Sequence, residues 1–131
     1  MIEFFFDCSS PWTYLAFRGV QPMASSINAP IVWRPVLVGG IFNTVNKGIY
    51  TAREDMNSPK NRYVMKDLQD CAGAAGLSIV FPPKIFPVNS VKAMRGCIWI
   101  AQDAEVSSKF LAFVEAVFAA YFSRQEDISQ D

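Results

Sequence analysis

Apolar residues open the chain as a nearly unbroken run, Ile2-Glu3-Phe4-Phe5-Phe6, that halts at Asp7. A short aromatic-rich run of this kind predicts a buried strand. Polar residues follow, and Ser10-Pro11 marks a helix start: serine at the N-cap accepts an orphan backbone N–H, and proline at the first helical position has no N–H to leave unpaired. Tyr14, Leu15, Phe17 and Val20 can then be carried by one helix, with Gly19 and Pro22 blurring its end. Ala29-Pro30 breaks the chain, and Ile31-Val32-Trp33 predicts a second strand ending at Arg34-Pro35. Strand, helix and strand of this length make a βαβ unit with parallel strands.

Beyond it the pattern turns helical. Residues 35–42 set apolar side chains around Gly39-Gly40 and predict at most a short helical turn, and 43–57 is a loop marked by Asn46, Lys47 and Gly48. Ser58-Pro59 repeats the helix-start signal and opens a helix through Tyr63, Val64, Leu68 and Cys71 that stops near Gly76. Three prolines between 81 and 87 exclude a helix and predict an extended crossing of the surface. Asn89 or Ser90 caps a further helix through Val91, Met94, Ile98 and Ala101. The clearest amphipathic face belongs to Phe110, Phe113, Val114, Val117, Phe118 and Tyr121. Only two strands are evident, and a two-stranded sheet rarely stands unless helices cover it or another chain adds to it.

Composition narrows the chemistry. With 131 residues, 51% of them hydrophobic and 18% charged, the chain can bury one modest core. Twelve basic residues balance twelve acidic ones, so charge gives no reason to expect nucleic acid or an anionic membrane as partner. No stretch approaches the roughly 18 apolar residues of a membrane span, and no basic region precedes the first apolar run, so the expectation is a soluble cytoplasmic protein.

There is no histidine. That excludes Ser-His-Asp and Cys-His nucleophiles and histidine-ligated zinc. Cys8, Cys71 and Cys97 are odd in number and contain no Cys-x-x-Cys, which argues against a disulfide framework, a zinc site or a dithiol redox centre; as small residues they suit the core. Ser10 stands at the positive end of a helix, a place that stabilises an anion. Taken alone, Ser10-Pro11 describes a plain cap just as Ser58-Pro59 does, Lys60 is a solvated charge and Asn46 a turn former.

Three blocks carry a further signal: residues 6–14, Phe-Asp-Cys-Ser-Ser-Pro-Trp-Thr-Tyr; residues 34–42, Arg-Pro-Val-Leu-Val-Gly-Gly-Ile-Phe; and residues 86–95, Phe-Pro-Val-Asn-Ser-Val-Lys-Ala-Met-Arg. With Pro59-Lys60-Asn61-Arg62-Tyr63 and Glu126-Asp127-Ile128-Ser129, they resemble, in order and from end to end, the 2-hydroxychromene-2-carboxylate isomerases and the kappa-class glutathione transferases. The resemblance implies an α/β fold: a thioredoxin-like βαβ unit over 1–38, followed by a mainly helical insertion domain over 39–131. Family members continue into a C-terminal ββα part that this sequence lacks, and with it into further glutathione contacts. In the related disulfide oxidoreductases of the DsbA type the Ser-Pro-x-Thr segment is a Cys-x-x-Cys; here Ser10 and Thr13 hold those places, so dithiol exchange is lost.

The resemblance also implies a cofactor, glutathione, and a reaction, the cis–trans isomerisation of a small aromatic substrate of aromatic-compound breakdown by reversible thiolate addition. Ser10 is then the catalytic residue whose hydroxyl meets the glutathione sulfur, donating a hydrogen bond to a thiolate rather than accepting a proton, and Asn46 and Lys60 match positions that hold the tripeptide. Trp12 and Phe42 are expected as apolar walls, and a homodimer as the assembly. Two alternatives stay open: glutathione transfer or thiol-dependent reduction at the same site, and a non-catalytic protein that binds a partner or self-associates through an uncovered sheet edge.

Overall fold

A computed structural model describes residues 1–46, 48, 55 and 57–130. The expected βαβ unit is present. Strand β1 (Ile2–Phe6) and strand β2 (Ile31–Pro35) pair in parallel, Phe4 opposite Trp33 and Phe6 opposite Pro35, and helix α1 (Pro11–Ser26) joins them. Alternation along β1 turns Phe4 and Phe6 to the core and leaves Glu3 and Phe5 exposed. Glu3 is bridged there by Arg34 at 2.8 Å, an exposed ion pair that contributes little. No third strand pairs with β1 or β2 among the described residues.

Helix α1 runs on through Pro22 and buries Tyr14, Phe17, Val20 and Ala24 on one face. Residues 38–45, expected to give no more than a turn, form a full helix, α2 (Val38–Val45), of which no residue is fully buried. Helix α3 (Pro59–Ala74), the helix expected through Tyr63, Val64, Leu68 and Cys71, buries Leu68 and Ala72 and leaves Tyr63 exposed. It ends where Gly76 takes φ +66°, the left-handed conformation that closes helices at low cost for glycine.

Helix α4 (Val91–Gln102) inserts Ala93, Met94, Cys97 and Ile100; of the positions through which it was expected to run, Val91, Met94, Ile98 and Ala101, only Met94 is buried. Helix α5 (Phe110–Phe118) continues into a π-helical turn, Ala119–Ser123, and buries Phe110, Val114, Phe118 and Tyr121 as its pattern predicts. The two helices approach closely at Gly96, where a Cβ would lie 2.9 Å from the Phe113 ring.

One core joins these pieces across the expected boundary at 38/39. Its spine is aromatic: Tyr14 stacks on Phe118 with ring centres 4.8 Å apart, Phe118 meets Phe17, Phe17 meets Trp33, and Phe6 and Phe110 close the row edge-on at 6.3 Å. Offset and edge-on contacts of this kind add about 0.5–1.5 kcal/mol each beyond the area they bury. The row fixes the β1–α1 junction against the helices. The next site grows from that junction.

Candidate functional site

Ser10 is the N-cap of α1, with extended backbone (φ −105°, ψ 121°), and Pro11 follows as the first helical residue. Its Oγ accepts the N–H of Thr13 at 3.3 Å. The cap uses the oxygen as acceptor; the hydroxyl hydrogen takes no acceptor among the described residues and is available to donate. Half-buried, Ser10 lines a cavity of about 480 Å³ at the positive end of α1, within the size range of small-molecule sites. A negative ligand atom here gains from the hydroxyl donor and from the helix dipole together.

The cavity is walled mainly by apolar side chains from separate elements. Trp12 comes from α1, Val38 and Phe42 from α2, Val64 and Met65 from α3. Trp12 and Phe42, the expected apolar walls, thus both face the cavity that Ser10 lines. Phe81 and Phe86 add a wall from the proline-rich segment, their ring centres 5.0 Å apart. That segment is irregular as expected, but instead of crossing only the surface it buries Pro83 and sends two rings into the cavity. A second hollow of about 370 Å³ adjoins the first and shares Ser9, Val38, Phe42 and Phe86 with it.

Asn46 and Lys60 are not brought to this cavity wall. Asn46 is the exposed C-cap of α2, and Lys60 is an exposed residue in the first turn of α3. Asn61, the next residue, does line the cavity; its amide Nδ2 donates to the carbonyl of Asp55 at 2.6 Å. Lys47, between the predicted loop markers, lies outside the described residues.

The sequence pattern did not single out Asp7. It is 2% exposed and lines the cavity beside Ser10. Its Oδ1 accepts the Ser9 N–H at 2.9 Å, and its Oδ2 accepts the Val38 N–H at 2.8 Å and the Ser90 hydroxyl at 3.1 Å. A carboxylate ending an apolar strand just before a helix start was the only local sign of it. Ser90 occupies the N-cap position of α4 as expected, yet its hydroxyl goes to Asp7, and the Val91 N–H is accepted by Asn89 Oδ1 at 3.0 Å instead.

The protein's own thiols stay out of this chemistry. Cys8 and Cys97 are fully buried, and Cys71 is half-buried. The neighbouring Cys97 thiol and burial push the Cys8 thiol well above its ordinary pKa, which holds it protonated and unreactive. Among the described residues no cluster of acidic or thiol side chains is arranged to hold a metal ion, and no helix is long and apolar enough to cross a membrane.

The sequence profile of the DSBA-like thioredoxin domain matches residues 1–131. Among solved structures, that of a 2-hydroxychromene-2-carboxylate isomerase is similar, with a TM-score of 0.70 at 25% identity. The match covers 99% of this chain and 60% of the isomerase chain, so the sequence spans about three fifths of that relative's length. A search of curated protein sequences gives no match.

Proposed function

The chain belongs to the DsbA-like thioredoxin domain family, and on that premise we propose that it acts as a glutathione-dependent cis–trans isomerase on a small aromatic substrate. One observation carries the reading: a serine hydroxyl with its hydrogen free to donate, at a helix N-terminus, facing a largely apolar cavity. This is a poor place for a general base and a good one for a thiolate. Where relatives of the disulfide-exchanging type carry their own sulfur, this chain offers a donor to a sulfur supplied from outside.

Glutathione held with its sulfur at Ser10 would supply a thiolate able to add reversibly to a conjugated double bond and so free that bond to rotate. The residues of the chain prepare that event. A thiol of ordinary pKa, about 8.5, is mostly protonated at neutral pH. Ser10 Oγ would donate to the sulfur and the α1 N-terminus would favour its charge, and together they would draw the thiol toward ionisation. Trp12, Phe42, Phe81 and Phe86 exclude water and offer flat apolar surface to an aromatic ring. Asn46 and Lys60 stand outside the cavity wall, so they would meet only the ends of a tripeptide that reaches beyond the cavity, an amide for its backbone and an ammonium for a carboxylate.

Calorimetric titration with glutathione tests the reading, followed by conversion of a hydroxychromene carboxylate. Heat of binding that disappears in Ser10→Ala, with isomerisation of the acid, is the expected result. Binding together with conjugation of an electrophilic aromatic halide but no isomerisation moves the assignment to a glutathione transferase. Absence of heat at millimolar glutathione overturns the cofactor. That outcome favours a binding or self-associating protein, for which the two-stranded sheet, with no third strand among the described residues, is the specific observation.

A further inference from the structure

Tyrosines and thiols aside, the fully buried polar residues among those described are Asp7 and Ser90, and they bond to each other. The donors around the Asp7 carboxylate come from three elements. Ser9 immediately precedes the N-cap of α1, Val38 is the first residue of α2, and Ser90 is the N-cap of α4. The carboxylate thus sits where three helices begin. Its charge is matched by the positive ends of those helices and by three hydrogen bonds, which is what a buried anion requires.

Helix α2 makes the arrangement informative. It has no fully buried residue and no side-chain cap of its own, so packing fixes it only weakly. The 2.8 Å bond from its first N–H to Asp7 Oδ2 is therefore a main anchor of the helix. The same side chain, through its other oxygen, fixes the Ser9 backbone and with it the direction in which Ser10 leaves the strand. Phe42 and the C-cap Asn46 ride on α2; Ser10 rides on the other arm.

We infer that Asp7 is the positioning residue of this site: one buried carboxylate that clamps the Ser10 cap, the start of α2 and Ser90 into a fixed register. It sets the spacing between the hydroxyl that meets the sulfur and the helix that walls and flanks the cavity. In its functional part the inference rests on the glutathione reading given above. Its structural part does not.

Two variants test it. Asp7→Asn keeps the volume but replaces one acceptor oxygen with an NH₂ group, so a main-chain N–H on the Ser9 or the Val38 side is left facing a donor. Ser90→Ala keeps the charge and removes one strut. The first measurement is amide hydrogen exchange at Thr13 and Val38, whose N–H groups bond Ser10 Oγ and Asp7 Oδ2. Exchange at both is expected to quicken about tenfold or more in Asp7→Asn and less in Ser90→Ala, since a hydrogen bond to a charged group is being lost.

The second measurement is the pH titration of bound glutathione by the ultraviolet absorbance of its thiolate, which reports the ionised population. The sign discriminates. Removing a negative charge beside the cavity would by itself lower the sulfur's pKa, whereas loosening the Ser10 donor raises it. A rise in both variants, with no further rise when either is added to Ser10→Ala, supports positioning. An unchanged or lowered pKa, with Thr13 exchange as in the wild type, overturns it. If Asp7→Asn does not fold, Ser90→Ala decides alone. If the wild type binds no glutathione, the function proposed above fails, and the clamp stands or falls on the exchange at Thr13 and Val38.

Discussion

Replacing Ser10 with alanine removes the cap bond to Thr13 and, on the function proposed above, a second bond donated to a glutathione sulfur, and the chain carries its own control for separating the two. Ser58 caps α3 as Ser10 caps α1: each is followed by proline, and each accepts the third N–H onward at 3.3 Å, from Asn61 and Thr13 respectively. Loss of such a cap costs about 1 kcal/mol, within a range of roughly 0.5–2. For 131 residues, at about 2.1 cal/mol/K of unfolding entropy per residue, that is a fall in Tm of about 4 °C in either variant. The thiol is a different matter. A hydrogen bond donated to a charged group is worth about 1.5–3 kcal/mol, or about one to two pKa units. Ser10→Ala is therefore expected to raise the pKa of bound glutathione by that amount, while Ser58→Ala leaves it alone. Thermal unfolding gives the first quantity and the thiolate absorbance titration the second. Equal loss of Tm in the two variants with an unmoved thiol pKa in Ser10→Ala would refute the reasoning, because Ser10 would then be only a cap.

Two further outcomes follow from the packing. Burial and the hydrogen bond to Glu115 Oε1 at 2.9 Å push the Tyr14 hydroxyl up to about 12, so alkaline titration of tyrosinate absorbance should show a late-titrating group that Glu115→Gln brings earlier. Because the folded pKa is raised, this contact stabilises the fold fully below the unfolded value of about 10 and is lost as pH climbs through about 12. Gly76 holds φ +66° with open space where a Cβ would stand, so Gly76→Ala should cost about 1 kcal/mol of backbone strain and Gly76→Asn less, as midpoints in urea denaturation would show.

What the letters made legible, and what they hid, divides along physical lines. The βαβ start was readable because its signals are local: an aromatic strand, Ser10-Pro11, and a β-branched run from Ile31. So was α5, whose buried Phe110, Val114 and Phe118, with Tyr121 beyond them, recur at three- and four-residue steps. Helix α4 was found but its inner face was misassigned, because Val91, Ala93, Met94, Cys97, Ile98, Trp99 and Ile100 spread apolar character around the cylinder. Tertiary packing chose the smaller residues Ala93 and Cys97, leaving Ile98 and Trp99 outside. Helix α2 was hidden by Gly39-Gly40, whose poor helix propensity is overcome in the folded chain by an anchor at its N-terminus. At the site, Ser10 announced itself. Asp7 did not, since its decisive partners lie 31 and 83 residues away along the chain. Phe81 and Phe86 were obscured by prolines that normally mark an exposed crossing.

The seclusion of Cys8 has a chemical consequence. It stands two residues before Ser10, close enough in sequence that an exposed, ionised thiol there would attack the sulfur of any small disulfide entering the cavity and release half of it as a thiol. Such an exchange would leave the protein captured as a mixed disulfide. With its side chain sealed in the interior and kept protonated beside Cys97, the strand end presents oxygen alone to visiting sulfur compounds, which can come and go without leaving an adduct behind.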